Sequence, residues 1–119
     1  MTRIKICGIT CVEDALRAAQ LAVDFVGFVF YPPSPRHVTP QKALECIQAM
    51  HEKHPAGSPK AIGVFVDDSP DVVNHISQRA GLDGVQFAGE EAPEDVRRVA
   101  GIRFKGISLK SLDRLAGMM

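Results

Sequence analysis

The chain has 119 residues, enough for a single domain. Its fourteen basic and fourteen acidic side chains cancel, and 45% of its residues are hydrophobic, the balance of an ordinary globular domain, with no support for nucleic acid or a membrane surface as partner. No apolar run approaches the ~20 residues of a membrane span, and the odd, scattered cysteines (Cys7, Cys11, Cys46) speak against a disulfide framework and for a reducing compartment, the cytoplasm.

The chain reads from Arg3 straight into a strand pattern, so no signal peptide is expected. Residues 3–9 alternate as a strand, with Ile4, Ile6 and Ile9 favouring extended structure and Gly8 loosening its end. Thr10 followed by Glu13 fits a capping box, Thr at the cap and Glu three residues on. A helix is expected there, its apolar stripe formed by Val12, Ala15, Leu16, Ala19 and Val23. Residues 25–30 are continuously apolar, as in a strand covered on both faces. Pro32, Pro33 and Pro35 make the next segment a loop. Thr39-Pro40 then starts a second helix, with a stripe of Ala43, Leu44, Ile47 and Met50 and a stop near residues 54–57.

The same order recurs. Residues 61–66 predict a third buried strand, and Ser69-Pro70 a third helix that carries Val72, Val73, Ile76 and Ala80 inward and stops at Gly81. Residues 84–87 read as a fourth strand, residues 93–99 as a fourth helix, residues 103–109 as a fifth strand, and Ser111 begins a fifth helix. A weak internal repeat accompanies this order. Val26-Gly27-Phe28 and Ile62-Gly63-Val64 share an apolar-glycine-apolar layout, each followed by a loop and a helix opened by proline.

Alternating strand and helix units mean a parallel sheet. Two architectures compete: a doubly wound open sheet, and a (β/α)8 barrel, which needs ~200 residues or more. On the pattern alone, five strands in this length fit the open sheet better. Both architectures collect chemistry at the carboxyl ends of the strands. That rim holds Cys7, the segment from Tyr31 to Arg36, Asp67 and Asp68, the segment from Gln86 to Gly89, and Ser108. No glycine-rich nucleotide loop is present, so a nucleotide cofactor gains no support.

Each rim residue has a plain alternative. Cys7 is either a small buried strand residue or a base, for which the helix N-terminus that follows would favour the thiolate. Arg36 is either solvated or, held by a proline-stiffened loop, a bidentate carboxylate partner. Gln86 interrupts an apolar strand, either lining a pocket or pairing with neighbouring backbone. Asp68 reads as negative charge at a helix start. Cys11 and Cys46 read as packing residues. His51, His54 and His75 have no converging ligand partners, and no metal is expected.

The blocks Lys5-Ile6-Cys7-Gly8-Ile9-Thr10, Gly27-Phe28-Val29-Phe30-Tyr31-Pro32 with Ser34 and Arg36, Gly63-Val64-Phe65-Val66, and Val85-Gln86 with Gly89-Glu90-Glu91 resemble the phosphoribosylanthranilate isomerases of tryptophan biosynthesis. The likeness runs from residue 3 to about residue 105. It implies a (β/α)8 TIM barrel in place of the open sheet, with residues 1–119 as the amino-terminal portion of one barrel domain, a half-barrel of four to five units. It also implies an Amadori rearrangement without cofactor. The phosphorylated sugar-anthranilate substrate, N-(5-phosphoribosyl)anthranilate, becomes 1-(2-carboxyphenylamino)-1-deoxyribulose 5-phosphate. In this likeness Cys7 is the base that removes the proton at C2 of the sugar, and Arg36 lies near the anthranilate. Gln86 is taken as a further substrate-binding residue. The family's general acid ends a sixth strand and its phosphate site follows strands seven and eight, so residues 1–119 alone are expected to be poor catalysts. Where the family often reads VQLHG, this chain has Ala88 in place of His. The rival expectation is a half-barrel that self-associates through open strand edges or binds a complementary half.

Overall fold

Five short β-favouring stretches form strands, and the segments between them coil into helices. A computed structural model describes residues 3–89, 93–99 and 102–105. The elements in order are β1 (Lys5–Cys7), α1 (Val12–Gln20), β2 (Phe25–Val29), α2 (Pro40–Lys53), β3 (Lys60–Phe65), α3 (Pro70–Ala80), β4 (Gly84–Phe87), α4 (Pro93–Arg97) and β5 (Ile102–Lys105). The expected fifth helix, the continuation of the fifth strand and Ser108 lie outside the described residues.

All strands are parallel and adjacent in sequence order, β1-β2-β3-β4-β5. Helix α1 packs on α2, and α2 on α3. The open doubly wound sheet is therefore overturned. Such a sheet reverses its strand order at a switch point and carries helices on both faces. Here the order never reverses and consecutive helices lie side by side on one face, as in the wall of a barrel.

The core sits between those helices and the sheet. Ala15, Ala18 and Ala19 of α1, Ala43, Cys46, Ile47 and Met50 of α2, and Val73 and Ala80 of α3 meet Val26, Phe28, Ala61, Phe65, Val85 and Phe87 from the strands. Alanines on α1 let that helix lie close, and phenylalanines fill the wider space. Phe30 and Phe65 stack with ring centroids 5.3 Å apart. Ile62 and Val64, on the other face of β3, are also buried but outside this cluster. β3 is thus buried on both sides, which is why it reads as a continuous apolar run.

Two helix starts form as expected. The Thr39 hydroxyl accepts from the Lys42 N–H at 3.1 Å and the Ser69 hydroxyl from the Val72 N–H at 3.3 Å, each with proline in the first turn. The capping box at Thr10 does not form. Cys11 occupies the cap position in extended conformation (φ −145°), with no side-chain bond, and Thr10 is exposed. The cause lies upstream, where the Gly8 and Ile9 N–H groups both donate to the Gly27 carbonyl at 3.0 Å. This hook ends β1 at Cys7 and shifts the helix start by one residue. Val72 is also corrected: it is 43% exposed, because the buried stripe of α3 runs through Val73 and Ala80 and the next residue on a helix points about 100° away.

Candidate active site

The site is built on β1. Side chains alternate along a strand, so Lys5 and Cys7 share the face opposite the helices, while Ile6 packs towards the helix-covered core. Cys7 pairs in register with Gly27, which pairs with Ile62, which pairs with Gly84. The Cys7 side chain rests on Gly27, where a Cβ would lie 2.8 Å from the sulfur. The thiol is exposed, so Cys7 is not a buried filler.

The chain turns directly after Cys7. Gly8 has φ +87°, a left-handed conformation that suits glycine. The missing side chain makes room for Arg36, because a Cβ on Gly8 would meet Arg36 Cδ at 2.5 Å. Arg36 is delivered by the loop after β2. The Ser34 N–H donates to the Tyr31 carbonyl, the Arg36 N–H to the Ser34 hydroxyl at 3.1 Å, and the Val38 N–H to the Val29 carbonyl at 2.9 Å. A folded loop, tied back to its own strand, thus lays the guanidinium stem over Gly8. Cys7, Gly8 and Arg36 line one groove of about 180 Å³ together with Ile6, Ala18 and Leu21; it opens beside α1 along the edge of β1, and Lys5 and Gln86 do not line it.

Gln86 reaches across the sheet. Its Oε1 accepts from Lys5 Nζ, a side-chain contact between β4 and β1. In the sequence Lys5 stands in the first family block without a role of its own. The available signal was its spacing, two residues before Cys7 and therefore on the same face.

Asp67, at the end of β3, has φ +56°. That region is unusual for any residue but glycine, and aspartate tolerates it better than most. Its carboxylate leans on Gly89, where a Cβ would meet Oδ1 at 2.6 Å. The loops after β3 and β4 therefore touch at the rim. Asp68 is half-buried before the Ser69 cap.

The remaining candidates lie apart. Cys46 is fully buried on α2, and burial pushes its thiol up from 9.0, with Lys42 opposing the shift. Cys11 stands at the start of α1. His51 and His75 are exposed, and His54 ends α2. No group of three His, Cys, Asp or Glu residues suited to a metal occurs among the described residues. A larger cleft, about 340 Å³, opens beside Asn74, Ser77 and Asp83 where α3 runs into the start of β4, at the end of the strands opposite Cys7.

The chain matches the family described as N-(5'phosphoribosyl)anthranilate (PRA) isomerase over residues 4–111. It belongs to the phosphoribosylanthranilate isomerase family. Its similarity to the N-(5'-phosphoribosyl)anthranilate isomerase of Trichlorobacter lovleyi is 38% identity over 112 residues, covering 94% of this chain and 52% of that protein. For the Rubrobacter xylanophilus protein of the same name it is 46% over 99 residues, covering 83% and 46%. A solved phosphoribosyl anthranilate isomerase, in complex with reduced 1-(o-carboxyphenylamino)-1-deoxyribulose 5-phosphate, superposes with TM-score 0.82 at 33% identity, over 99% of this chain and 61% of that one. The chain spans about half the length of the curated relatives it matches. The five parallel strands are thus part of the TIM-barrel fold of phosphoribosylanthranilate isomerases. Where such isomerases often carry His after the fourth strand, this chain places Ala88, exposed on the rim.

Proposed function

We propose that this chain supplies the base and a substrate-binding arginine of a phosphoribosylanthranilate isomerase, with residues 1–119 forming the amino-terminal portion of a single (β/α)8 barrel. The observation that carries this reading is Arg36 lying over Gly8, the residue directly after Cys7 at the carboxyl end of β1, in a chain of this family. The substrate is N-(5-phosphoribosyl)anthranilate. After the sugar ring opens to a Schiff base, the Cys7 thiolate takes the proton from C2 of the sugar. The C1=N double bond shifts to C1=C2 to give an enaminol; C1 then gains a proton as the C2 hydroxyl loses one, and the product 1-(2-carboxyphenylamino)-1-deoxyribulose 5-phosphate results. Arg36 offers a planar pair of N–H donors that suits the anthranilate carboxylate. Gln86 adds a neutral polar contact on the concave face. The free cysteines and the soluble phosphorylated substrate support a reducing compartment, the cytoplasm.

The test is isomerase turnover. In the complete gene product Cys7→Ala is expected to lower kcat by ~10²–10⁴ with an unchanged melting temperature, and full activity would remove Cys7 from the mechanism. Residues 1–119 alone are expected to turn over poorly, since the family's proton donor and phosphate site belong to later strands. Near-normal turnover would show that another group supplies the acid.

A second reading has one observation in its favour. Among the described residues β1 and β5 each pair on one side only, and Ile4 and Leu21 beside β1 are 56% and 67% exposed. Such edges favour association of this chain with a second copy. Sedimentation decides it: a monodisperse monomer at micromolar concentration excludes self-association.

A further inference from the structure

Lys5 and Gln86 belong to different levels of the sheet. Lys5 pairs with Phe25 and, through it, with Lys60, one step below the row that holds Cys7. Gln86 pairs with Val64, one step above that row and nearer the carboxyl ends of the strands. The bond between them therefore joins different register rows as it crosses from β1 to β4. In a flat sheet these strands would stand about 14 Å apart, before the offset along the strands is added. A lysine and a glutamine meet only because the sheet curves, and their bond spans its concave side.

The chemistry of the pair fixes more than a contact. A glutamine amide has an accepting oxygen on one side and a donating –NH2 on the other, and by itself it can sit either way round. A lysine ammonium has three donors and no acceptor. It can therefore pair with the oxygen alone. With its oxygen held by Lys5, the amide keeps its –NH2 on the side away from the lysine, as the group left to donate elsewhere.

We propose that Lys5 is a positioning residue of this site, orienting the Gln86 amide so that its –NH2 donates to an oxygen of the bound phosphorylated ligand. The role of the ligand rests on the isomerase reading above; the orientation of the amide does not. An uncommitted glutamine would spend part of its time presenting an oxygen to an oxygen-rich ligand, which repels rather than binds. Lys5 removes that orientation.

The experiment follows the Gln86 side-chain amide by NMR in the 15N-labelled complete gene product, with reduced 1-(o-carboxyphenylamino)-1-deoxyribulose 5-phosphate as the probe ligand. Lys5→Met is expected to move the Gln86 –NH2 resonances to those of a free glutamine, and Lys5→Arg to hold them in place. Unchanged resonances in Lys5→Met overturn the proposal, whatever the ligand does. Gln86→Glu keeps an acceptor for Lys5 but removes the donor. It is expected to retain the melting temperature and to weaken the probe by ~10–100-fold, the effect of one lost hydrogen bond to a charged group. Unweakened binding by Gln86→Glu overturns the donor role. If the unaltered protein binds no probe while Lys5→Met still frees the amide, the isomerase reading fails and the orienting role of Lys5 stands.

Discussion

The sulfur of Cys7 lies directly over Gly27, so close that a Cβ there would be 2.8 Å from Sγ and 3.2 Å from the Cα of Cys7. The second distance matters more, because the β1 backbone cannot swing aside as a side chain can. Gly27→Ala is therefore expected to push β1 and β2 apart locally and to cost ~1–3 kcal/mol, the usual range for overpacking. Urea denaturation measures the cost, and the rate of Cys7 alkylation reports the displaced thiol. A midpoint equal to that of the unaltered protein would show that the two strands have room to spare.

Helices α1 and α3 end in the same left-handed turn with different residues. Ala22 has φ +57°, with its N–H on the Ala19 carbonyl and the Val23 N–H on the Ala18 carbonyl. Gly81 has φ +74°, with its N–H on the Ser77 carbonyl. A Cβ is disfavoured there and glycine is not. Ala22→Gly is expected to raise stability by ~0.5–1 kcal/mol, the relief of strain exceeding the added freedom of the unfolded chain. Gly81→Ala is expected to lower stability by ~1 kcal/mol. Thermal melts of the two variants should move in opposite directions.

Asp67 and Gly89 are coupled across the rim, since a Cβ on Gly89 would strike the Asp67 carboxylate at 2.6–2.8 Å. Gly89→Ala should cost ~1–2 kcal/mol in the native background. In an Asp67→Ala background the same change should cost clearly less, because the opposing oxygens are gone. A double-mutant cycle reads the difference, and strict additivity would show that the two loops do not press on each other.

Cys46 makes stability depend on alkaline pH. Burial raises its thiol above the ordinary 9.0, outweighing the attraction of Lys42. The unfolded chain therefore loses its proton first, and between the two values the folded state holds more protons. The contribution is complete below about pH 9 and disappears as pH rises through the folded value. Melting temperatures from pH 7 to 10.5 should fall more steeply for the unaltered protein than for Cys46→Ala. Under the same conditions Cys7, which is exposed, should be alkylated, while Cys46, which has no exposed surface, should resist until the protein unfolds.

The order of strands and helices was legible in the sequence because it depends on local matters: apolar runs of strand length, proline and hydroxyl residues at helix starts, and glycine at Gly81. That Cys7, Arg36 and Gln86 lie at or after the carboxyl ends of their strands followed from that order, since parallel strands put all their ends on one rim. The family's sequence blocks named a chemistry for Cys7 and Arg36 that periodicity alone could not.

Other features depended on how strands lie against one another. The repeat in the sequence aligns Gly27 with Gly63, yet the sheet pairs Gly27 with Ile62 and Phe28 with Gly63. One residue of offset puts the two glycines on opposite faces. Gly27 makes room for the Cys7 thiol, and Gly63 makes room for Leu82, Phe65 and Phe30 on the helix side. The choice between an open sheet and a barrel wall was likewise undecided by periodicity, because both have the same alternation of elements. Strand order and curvature decide it, and both are long-range properties. Lys5 shows the same division most plainly. Its sequence position placed it on the face of Cys7, but only the curved sheet brings it to Gln86, three strands away.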